Sequence, residues 1–332
     1  MKAIRTHQTG GPETLTLDEI NAPAPGAGEV LIAVKACAIN YPDGLMIRDM
    51  YQFRPERPFS PGGEIAGVIE AVGEGVEGFK VGDKVLAGIG NGGLAEKVVV
   101  PAGRMFAVPD GVPFEKAASL LMTYGTTIHG LKDRGHIKAG DTVLILGAAG
   151  GVGLSAIELA KAFGARVVAA VSSEAKGDVA RQAGADEVVI YPREAMDKDG
   201  SRALAEAFKK ACGPDGANIV YDIVGGQYSE PALRAIAWEG RFLVVGFPAG
   251  IAKMPLNLTL LKSCDICGVF WGAFTAREPA AFHAQVNELF DLMKAGKIDP
   301  LVSETFPLAR AGDAIAKLEA REAVGKLVVM ME

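Results

Sequence analysis

The spacing of hydrophobic residues divides the chain into two parts. From Lys2 to about Pro109, short runs rich in β-branched residues are separated by Gly, Pro and Asp turns, a pattern typical of a compact all-β domain. The clearest predicted strands in this part cover residues 30–34, 65–72, 84–86 and 96–100.

From about Met122 onward, short apolar runs alternate with helix-length segments, which is the pattern of βαβ units around a parallel sheet. Gly, Ser or Pro bounds each predicted helix. The sequence therefore predicts an α/β domain with a doubly wound six-stranded parallel sheet. Its predicted strands are 142–146, 166–171, 187–190, 218–223, 241–245 and 266–271, and its predicted helices are 152–163, 175–183, 202–212 and 229–237.

The end of the chain breaks this alternation. After the sixth predicted strand come two helical patterns, at residues 279–295 and 311–319, and a last strand at 326–330. Because these pieces have no place in the parallel sheet, we expect the tail to complete the first domain. The expected division is 1–121, 122–272 and 273–332, with the active site in the cleft between the domains.

Composition limits the classes of protein to consider. With 332 residues, 49% hydrophobic and 22% charged, the chain fits a two-domain globular protein and not a disordered one. A net charge of −6 gives no general attraction to nucleic acid. The apolar stretch 142–157 is glycine-rich and shorter than the ~20 residues of a membrane-spanning helix. Four cysteines and no secretory signal favour a cytoplasmic protein without disulfides.

A glycine-rich loop, Gly147-Ala-Ala-Gly-Gly-Val-Gly153, lies between the predicted strand 142–146 and the helix that begins near Val152. Glycine allows the backbone to approach a pyrophosphate, and the helix N-terminus offers unpaired N–H groups to the phosphates. A glycine turn without a ligand is the structural alternative, but the strand–loop–helix order favours a dinucleotide. We predict that its pyrophosphate contacts Gly150, Gly151, Val152 and Gly153.

The end of the second strand indicates which dinucleotide is bound. An NAD enzyme places an acid there, about 20 residues past the loop, to hold the ribose 2′-hydroxyl. Here the strand ends in Ser172 and Ser173, with Lys176 in reach of a 2′-phosphate, so NADPH is favoured. Glu174 keeps NAD open as an alternative, although it also suits the first turn of the next helix.

Several short motifs together carry a resemblance to a known family. They are 61–69 (PGGEIAGVI), 72–76 (VGEGV), 81–85 (VGDKV) and the stretch 140–153. On these motifs the chain resembles the medium-chain dehydrogenase/reductase superfamily over its whole length, and within it the zinc-free quinone oxidoreductase (zeta-crystallin-like) branch. The resemblance implies a Rossmann domain at 122–272 and a GroES-like catalytic domain at 1–121, completed by 273–332. One departure is Glu158, where that branch usually carries glutamine.

The residues that would hold zinc in the alcohol dehydrogenases of this superfamily are missing. Asn40 and Gly63 stand where the resemblance requires a cysteine and a histidine, and residues 87–94 hold no cysteine cluster. Cys264 and Cys267 are three apart on a predicted strand, so they point to opposite faces and are interpreted as core residues. The histidines show no metal spacing, and we expect no metal.

Without a Lewis acid, hydrogen bonds must stabilise the negative charge that develops on the substrate. This suits conjugate reduction, and the resemblance places Asn40, Asp43 and Tyr51 around the substrate, with Asn40 as a donor to the carbonyl and Tyr51 as a proton source. Each has a structural alternative: Asn40 holding a loop, Asp43 capping a helix that starts near Gly44, and Tyr51 as an ordinary half-buried ring.

The resemblance also implies cofactor contacts outside the glycine loop. Thr126, in Tyr-Gly-Thr-Thr, matches the residue beside the nicotinamide, and Gly246 and Phe247 flank it after the fifth strand. At the adenosine phosphate, Lys176, Tyr191 and Arg321 form the implied pocket. Tyr191 could equally end a strand, and Arg321 could be a solvated helix residue.

The leading hypothesis is an NADPH-dependent, zinc-free reductase of quinones or α,β-unsaturated carbonyl compounds. Two alternatives stay open: an enoyl-thioester reductase of acyl-CoA type, and a crystallin-like protein that binds the nucleotide without turnover. The expected partner is a small-molecule substrate, with no nucleic acid and no membrane. We also expect a homodimer, because the apolar edge strand at 266–271 would otherwise be unpaired.

Overall fold

The computed structural model describes residues 1–331, and it divides into two compact units. The strands are β1 (Lys2–Thr6), β2 (Leu15–Glu19), β3 (Glu29–Ala38), β4 (Glu64–Val72), β5 (Lys84–Gly88), β6 (Lys97–Pro101), β7 (Met105–Ala107), β8 (Thr142–Leu146), β9 (Arg166–Val171), β10 (Glu187–Ile190), β11 (Ala217–Asp222), β12 (Ile236–Val244), β13 (Asp265–Gly268), β14 (Val302–Pro307) and β15 (Lys326–Met330).

The α-helices are α1 (Tyr41–Ile47), α2 (Phe114–Ala117), α3 (Thr126–Ile128), α4 (Gly151–Ala162), α5 (Glu174–Gln182), α6 (Lys198–Cys212), α7 (Ser229–Arg234), α8 (Asn257–Lys262), α9 (Trp271–Arg277), α10 (Pro279–Lys294) and α11 (Ala311–Glu319).

The first unit comprises Met1–Met122 and the tail from Pro300 onward. Its main sheet follows the order β14-β15-β3-β4-β5-β7, and β6 pairs with β3. The last strand, β15, lies antiparallel to β3 with Val329 opposite Cys37. The tail therefore completes the β-rich unit by supplying two strands of its sheet, and one face of α11 shares an apolar core with that sheet.

The second unit covers Thr123–Asp299. Its six strands are all parallel, in the order β10-β9-β8-β11-β12-β13. Strands β9 and β10 lie on one side of β8, and β11, β12 and β13 lie on the other, so the strand order switches between β8 and β11. In doubly wound sheets the ligand binds outside the carboxyl ends of the strands at this switch point. This confirms the predicted six-stranded parallel sheet.

Residues 273–299 belong to the second unit, whereas the sequence analysis assigned them to the completion of the first. The reason is that α10 packs on the segment that precedes β8. Gln285 Nε2 donates to Asp133 at 2.7 Å, Lys132 forms an ion pair with Glu288 at 2.7 Å, and the Phe282 ring meets Trp271 edge to face.

Two predicted elements have different ends. The sixth strand stops at Gly268, which is its last residue paired with β12. Trp271 starts α9 instead of ending a strand. The helix predicted to reach residue 237 ends at Arg234, and β12 begins already at Ile236. This longer strand contains an irregularity, with Glu239 at φ +56°. Such a bulge interrupts the apolar pattern of the strand. The sequence therefore predicted only the part of the strand that follows the bulge, from residue 241.

The segment around Thr126 has a form that the sequence did not predict. Residues 121–125 and 129–134 are π-helical on either side of α3. π-helical turns are rare and occur frequently at functional sites.

In residues 1–331, no helix combines the length and the hydropathy needed to cross a membrane.

Candidate functional site

The glycine loop has the geometry of a phosphate-binding turn. It begins at Gly147, with φ +73°, and leads to Gly150, the N-cap of α4. A Cβ on Gly153 would overlap the Gly147 carbonyl oxygen and lie 2.6 Å from the Ala148 Cα. Only glycine fits there, which lets α4 pack closely on β8. Because the N-cap has no side chain, the helix N-terminus suits a pyrophosphate, and the residues fit the predicted dinucleotide.

The end of β9 carries the predicted adenosine-phosphate residues. Ser173 caps α5 by accepting a hydrogen bond from the Lys176 N–H at 3.4 Å, and Ser172 is half-buried. Burial lowers the pKa of the half-buried Lys176 side chain, and the positive charge of Arg193 lowers it further. Glu174 is exposed and forms an ion pair with Arg181 at 2.8 Å.

Tyr191 is buried at the end of β10, where its ring lies 4.6 Å from that of Tyr228. The Tyr228 hydroxyl donates to the Pro192 carbonyl at 2.8 Å. This hydrogen bond holds the turn just before Arg193, whose positive charge acts on Lys176. The sequence analysis missed Arg193. A basic residue two positions after Tyr191 was the signal that could have identified it.

The predicted nicotinamide residues lie at helix and strand ends of the second unit. Thr126 is half-buried at the start of α3. Gly246 and the exposed Phe247 follow β12. Phe247 packs against the loop after β11, where a Cβ on Gly225 would lie 2.8 Å from the Phe247 Cβ. Gly246 and Phe247 are thus at the carboxyl end of the sheet, where ligands bind in folds of this kind.

In the first unit, Asp43 caps α1. Its Oδ2 accepts from the Asn40 N–H at 2.7 Å, and its Oδ1 accepts from the Gly62 N–H at 3.0 Å. The helix starts at Tyr41, earlier than the predicted start near Gly44. Burial raises the pKa of Asp43 to about 6 against the opposing effect of these N–H donors. Asp43 therefore performs the structural role that the sequence left as its alternative.

The Asn40 side chain is held on both sides by the protein. Its Nδ2 donates to the Ala38 carbonyl at 3.2 Å and to Glu64 Oε2 at 3.0 Å, and its Oδ1 accepts from Lys326 Nζ at 2.6 Å. Because an amide has only two hydrogens, this geometry leaves none for a substrate carbonyl. Asn40 therefore connects buried groups in this structure, and its role as a donor to the substrate stays a prediction.

Lys326 and Glu64 were missed by the sequence analysis. Lys326 is 4% exposed and Glu64 1%, and Lys326 Nζ lies 3.6 Å from Glu64 Oε2. Lys326 also donates to the Ile39 carbonyl, and Glu64 Oε1 accepts from the Met122 N–H at 2.9 Å. Burial raises the pKa of Glu64 and lowers that of Lys326. A charged residue at the start of each apolar strand was the available signal.

Tyr51 differs from these residues because it is only half-buried. Burial, and then the nearby charge of Asp43, raises the pKa of the Tyr51 phenol. The phenol is therefore protonated at neutral pH. Its ring lies 6.0 Å from that of Phe53.

The remaining predicted residues are placed as follows. Arg321 is exposed just after α11, with φ +59°. Cys264 precedes β13 and Cys267 lies within it, and both thiols are buried. Across residues 1–331 the His, Cys, Asp and Glu side chains form no group of three that could hold a metal ion.

Comparisons with known proteins agree with this geometry. Residues 151–291 match the family described as zinc-binding dehydrogenase, and residues 26–110 match the alcohol dehydrogenase GroES-like domain. Quinone oxidoreductase-like protein 2 of Rattus norvegicus is 36% identical over 96% of this chain and 90% of its own.

Two solved structures are similar over nearly the whole chain. A mycobacterial protein in complex with NADPH has a TM-score of 0.91 and 35% identity, covering 99% of this chain and 100% of its own. The quinone oxidoreductase of Escherichia coli in complex with NADPH has a TM-score of 0.90 and 29% identity, with the same coverage.

Proposed function

Because this chain belongs to the zinc-free quinone oxidoreductase branch of the medium-chain dehydrogenase/reductase superfamily, we propose that it is an NADPH-dependent reductase of quinones or α,β-unsaturated carbonyl compounds. It is an oxidoreductase by family. The observation that carries the choice of NADPH is Lys176, half-buried in the first turn of the helix after β9, with the positive charge of Arg193 acting on it.

The cation pair favours a 2′-phosphate for an electrostatic reason. Burial is the first cause of the lowered pKa of Lys176, and repulsion from the positive charge of Arg193 is the second. A phosphate dianion between the two cations removes this repulsion and adds charge-assisted hydrogen bonds. Glu174, the acid that would favour NAD, is drawn to Arg181. The adenosine end therefore suits NADPH better than NADH.

The proposed reaction needs a proton donor and no metal ligand. When bound, NADPH supplies a hydride to the substrate. Tyr51 is the proposed proton donor, because the resemblance places it beside the substrate and its half-buried phenol carries a proton at neutral pH. Asn40 and Asp43 act indirectly, since their hydrogen bonds fix the start of α1 and the Gly62 backbone.

The test of the cofactor proposal is Lys176→Met, which keeps the length of the side chain and removes its charge. We expect KM for NADPH to rise about tenfold or more, as for the loss of a charge-assisted hydrogen bond, with KM for NADH unchanged. The matched control is Lys198→Met at the start of α6, which should leave both values unchanged. Equal effects of Lys176→Met on the two coenzymes would refute the 2′-phosphate assignment.

We also propose a homodimer formed through β13, the edge strand of the parallel sheet. Ile266 on this strand is 37% exposed, and Leu260 on the preceding α8 is 80% exposed. An unpaired apolar edge favours association with a second copy. Light scattering should give the mass of two chains, and Ile266→Lys should give one; a monomeric wild-type protein would contradict this proposal.

A further inference from the structure

Helix α4 contacts the segment 123–127, which contains Thr126. Ser155, on the turn after Gly153, has its hydroxyl 2.7 Å from that of Thr127 and 3.2 Å from the Thr123 carbonyl oxygen. The helix that begins at the phosphate-binding turn is thus bonded to both sides of Thr126.

Glu158 lies one turn further along α4 and holds the same segment at a second place. Its Oε2 accepts from the Tyr124 hydroxyl at 2.7 Å and from the Asp299 backbone N–H at 3.0 Å. Burial and the charge of Glu158 raise the pKa of Tyr124 far above its ordinary value. Tyr124 therefore remains a protonated donor to Glu158.

Strand β11 completes this attachment. The Tyr221 hydroxyl donates to Thr127 Oγ1 at 3.1 Å, and Thr127, Ser155 and Tyr221 are all fully buried. A Cβ on Gly130 would lie 2.9 Å from the Tyr221 ring, so the following π-helical turn packs directly on this tyrosine. Thr126, in contrast, remains half-buried.

We infer that Glu158 and Ser155 are positioning residues for the nicotinamide end of the cofactor site. They hold the Thr126 segment in a fixed place relative to the pyrophosphate turn, because one helix carries both. This inference rests on the proposed function, NADPH-dependent reduction, and on the nicotinamide position beside Thr126 that the family resemblance implies. It implies that weakening the attachment impairs binding of the nicotinamide half and leaves binding of the adenosine half unchanged.

The test is Tyr124→Phe, which removes one buried hydroxyl and little else. Calorimetry should compare NADPH with 2′,5′-ADP, which has the adenosine and its 2′-phosphate but no nicotinamide. We expect NADPH to bind about tenfold more weakly, as for the loss of a hydrogen bond to a charged acceptor, with 2′,5′-ADP unchanged. Glu158→Leu should behave like Tyr124→Phe, whereas Glu158→Gln keeps an acceptor oxygen and should restore most of the affinity.

Asn218→Ala is the matched control. It removes the hydrogen bond of 2.8 Å from the Thr142 N–H, at the opposite end of the same sheet. It should lower the melting temperature and change neither affinity. The inference is overturned, and the proposed function kept, if Tyr124→Phe weakens both ligands equally or neither. If the wild-type protein binds neither ligand, both fail.

Discussion

Two opposite charges, Lys326 and Glu64, lie in the core of the first unit and hold the Asn40 amide between them. A buried charge that keeps its partner costs little, but one that loses its partner is strongly destabilising. Removing one partner alone should therefore destabilise the first unit.

Lys326→Met should leave Glu64 as an uncompensated buried carboxylate. We expect the free energy of unfolding to fall by about 3–5 kcal/mol, measured by urea denaturation at neutral pH. The double variant Lys326→Met/Glu64→Gln removes both charges and should recover most of that loss, because the two effects are coupled. Additive losses in the double variant would show that the two charges do not interact.

Part of the site could be predicted from residue types alone, and part could not. Gly153 and Lys176 were singled out because each matches the motif or position of a dinucleotide site, and Tyr51 because the resemblance places it near the substrate; their roles stay predictions. The hydrogen bonds of Asn40 to Lys326 and Glu64 were not predicted, because Lys326 is far away in the sequence and reaches Asn40 only through the pairing of β15 with β3. Arg193 was missed for a similar reason, since its effect on Lys176 depends on how two strand ends meet.

At the scale of elements, β8, the glycine loop and α4 form the best-defined part of the site. Strand β8 has its predicted bounds, and α4 begins one residue before the predicted start. The hydrophobic pattern of the strand and of the helix is clear there, and the glycine-rich loop separates the two elements. The π-helical turns around Thr126 have no such signal, because their hydrogen bonds depend on packing against α4 and Tyr221.

Two glycines of this loop should respond differently to alanine. At Gly153 the added methyl would overlap the Gly147 carbonyl, whereas at Gly150 its nearest neighbour is 3.6 Å away. We expect Gly153→Ala to lower both the melting temperature and NADPH affinity, and Gly150→Ala to lower NADPH affinity alone, because it covers the helix N-terminus. Differential scanning fluorimetry with calorimetry measures both effects. Equal melting temperatures would contradict the packing argument.

At the scale of the whole molecule, the order of elements along the chain decided what could be predicted. The alternation of strands and helices correctly predicted the parallel sheet, and the tail strand β15 indeed joins the first unit. The boundary of the second unit lies at Asp299 and not at 272, because α10 covers a helical segment that precedes β8. Helical periodicity shows that α10 has an apolar face but not which neighbour covers it.

Reduction of quinones or enones with NADPH, without a metal, is the activity proposed for this chain. The most direct measurement is the oxidation of NADPH and NADH by a benzoquinone, a naphthoquinone, an enone and crotonyl-CoA, each with and without a chelator. We predict chelator-resistant turnover that prefers NADPH, with a quinone or the enone as the better acceptor. Preference for crotonyl-CoA would indicate an enoyl-thioester reductase instead, and NADPH binding without any turnover would contradict the proposed activity.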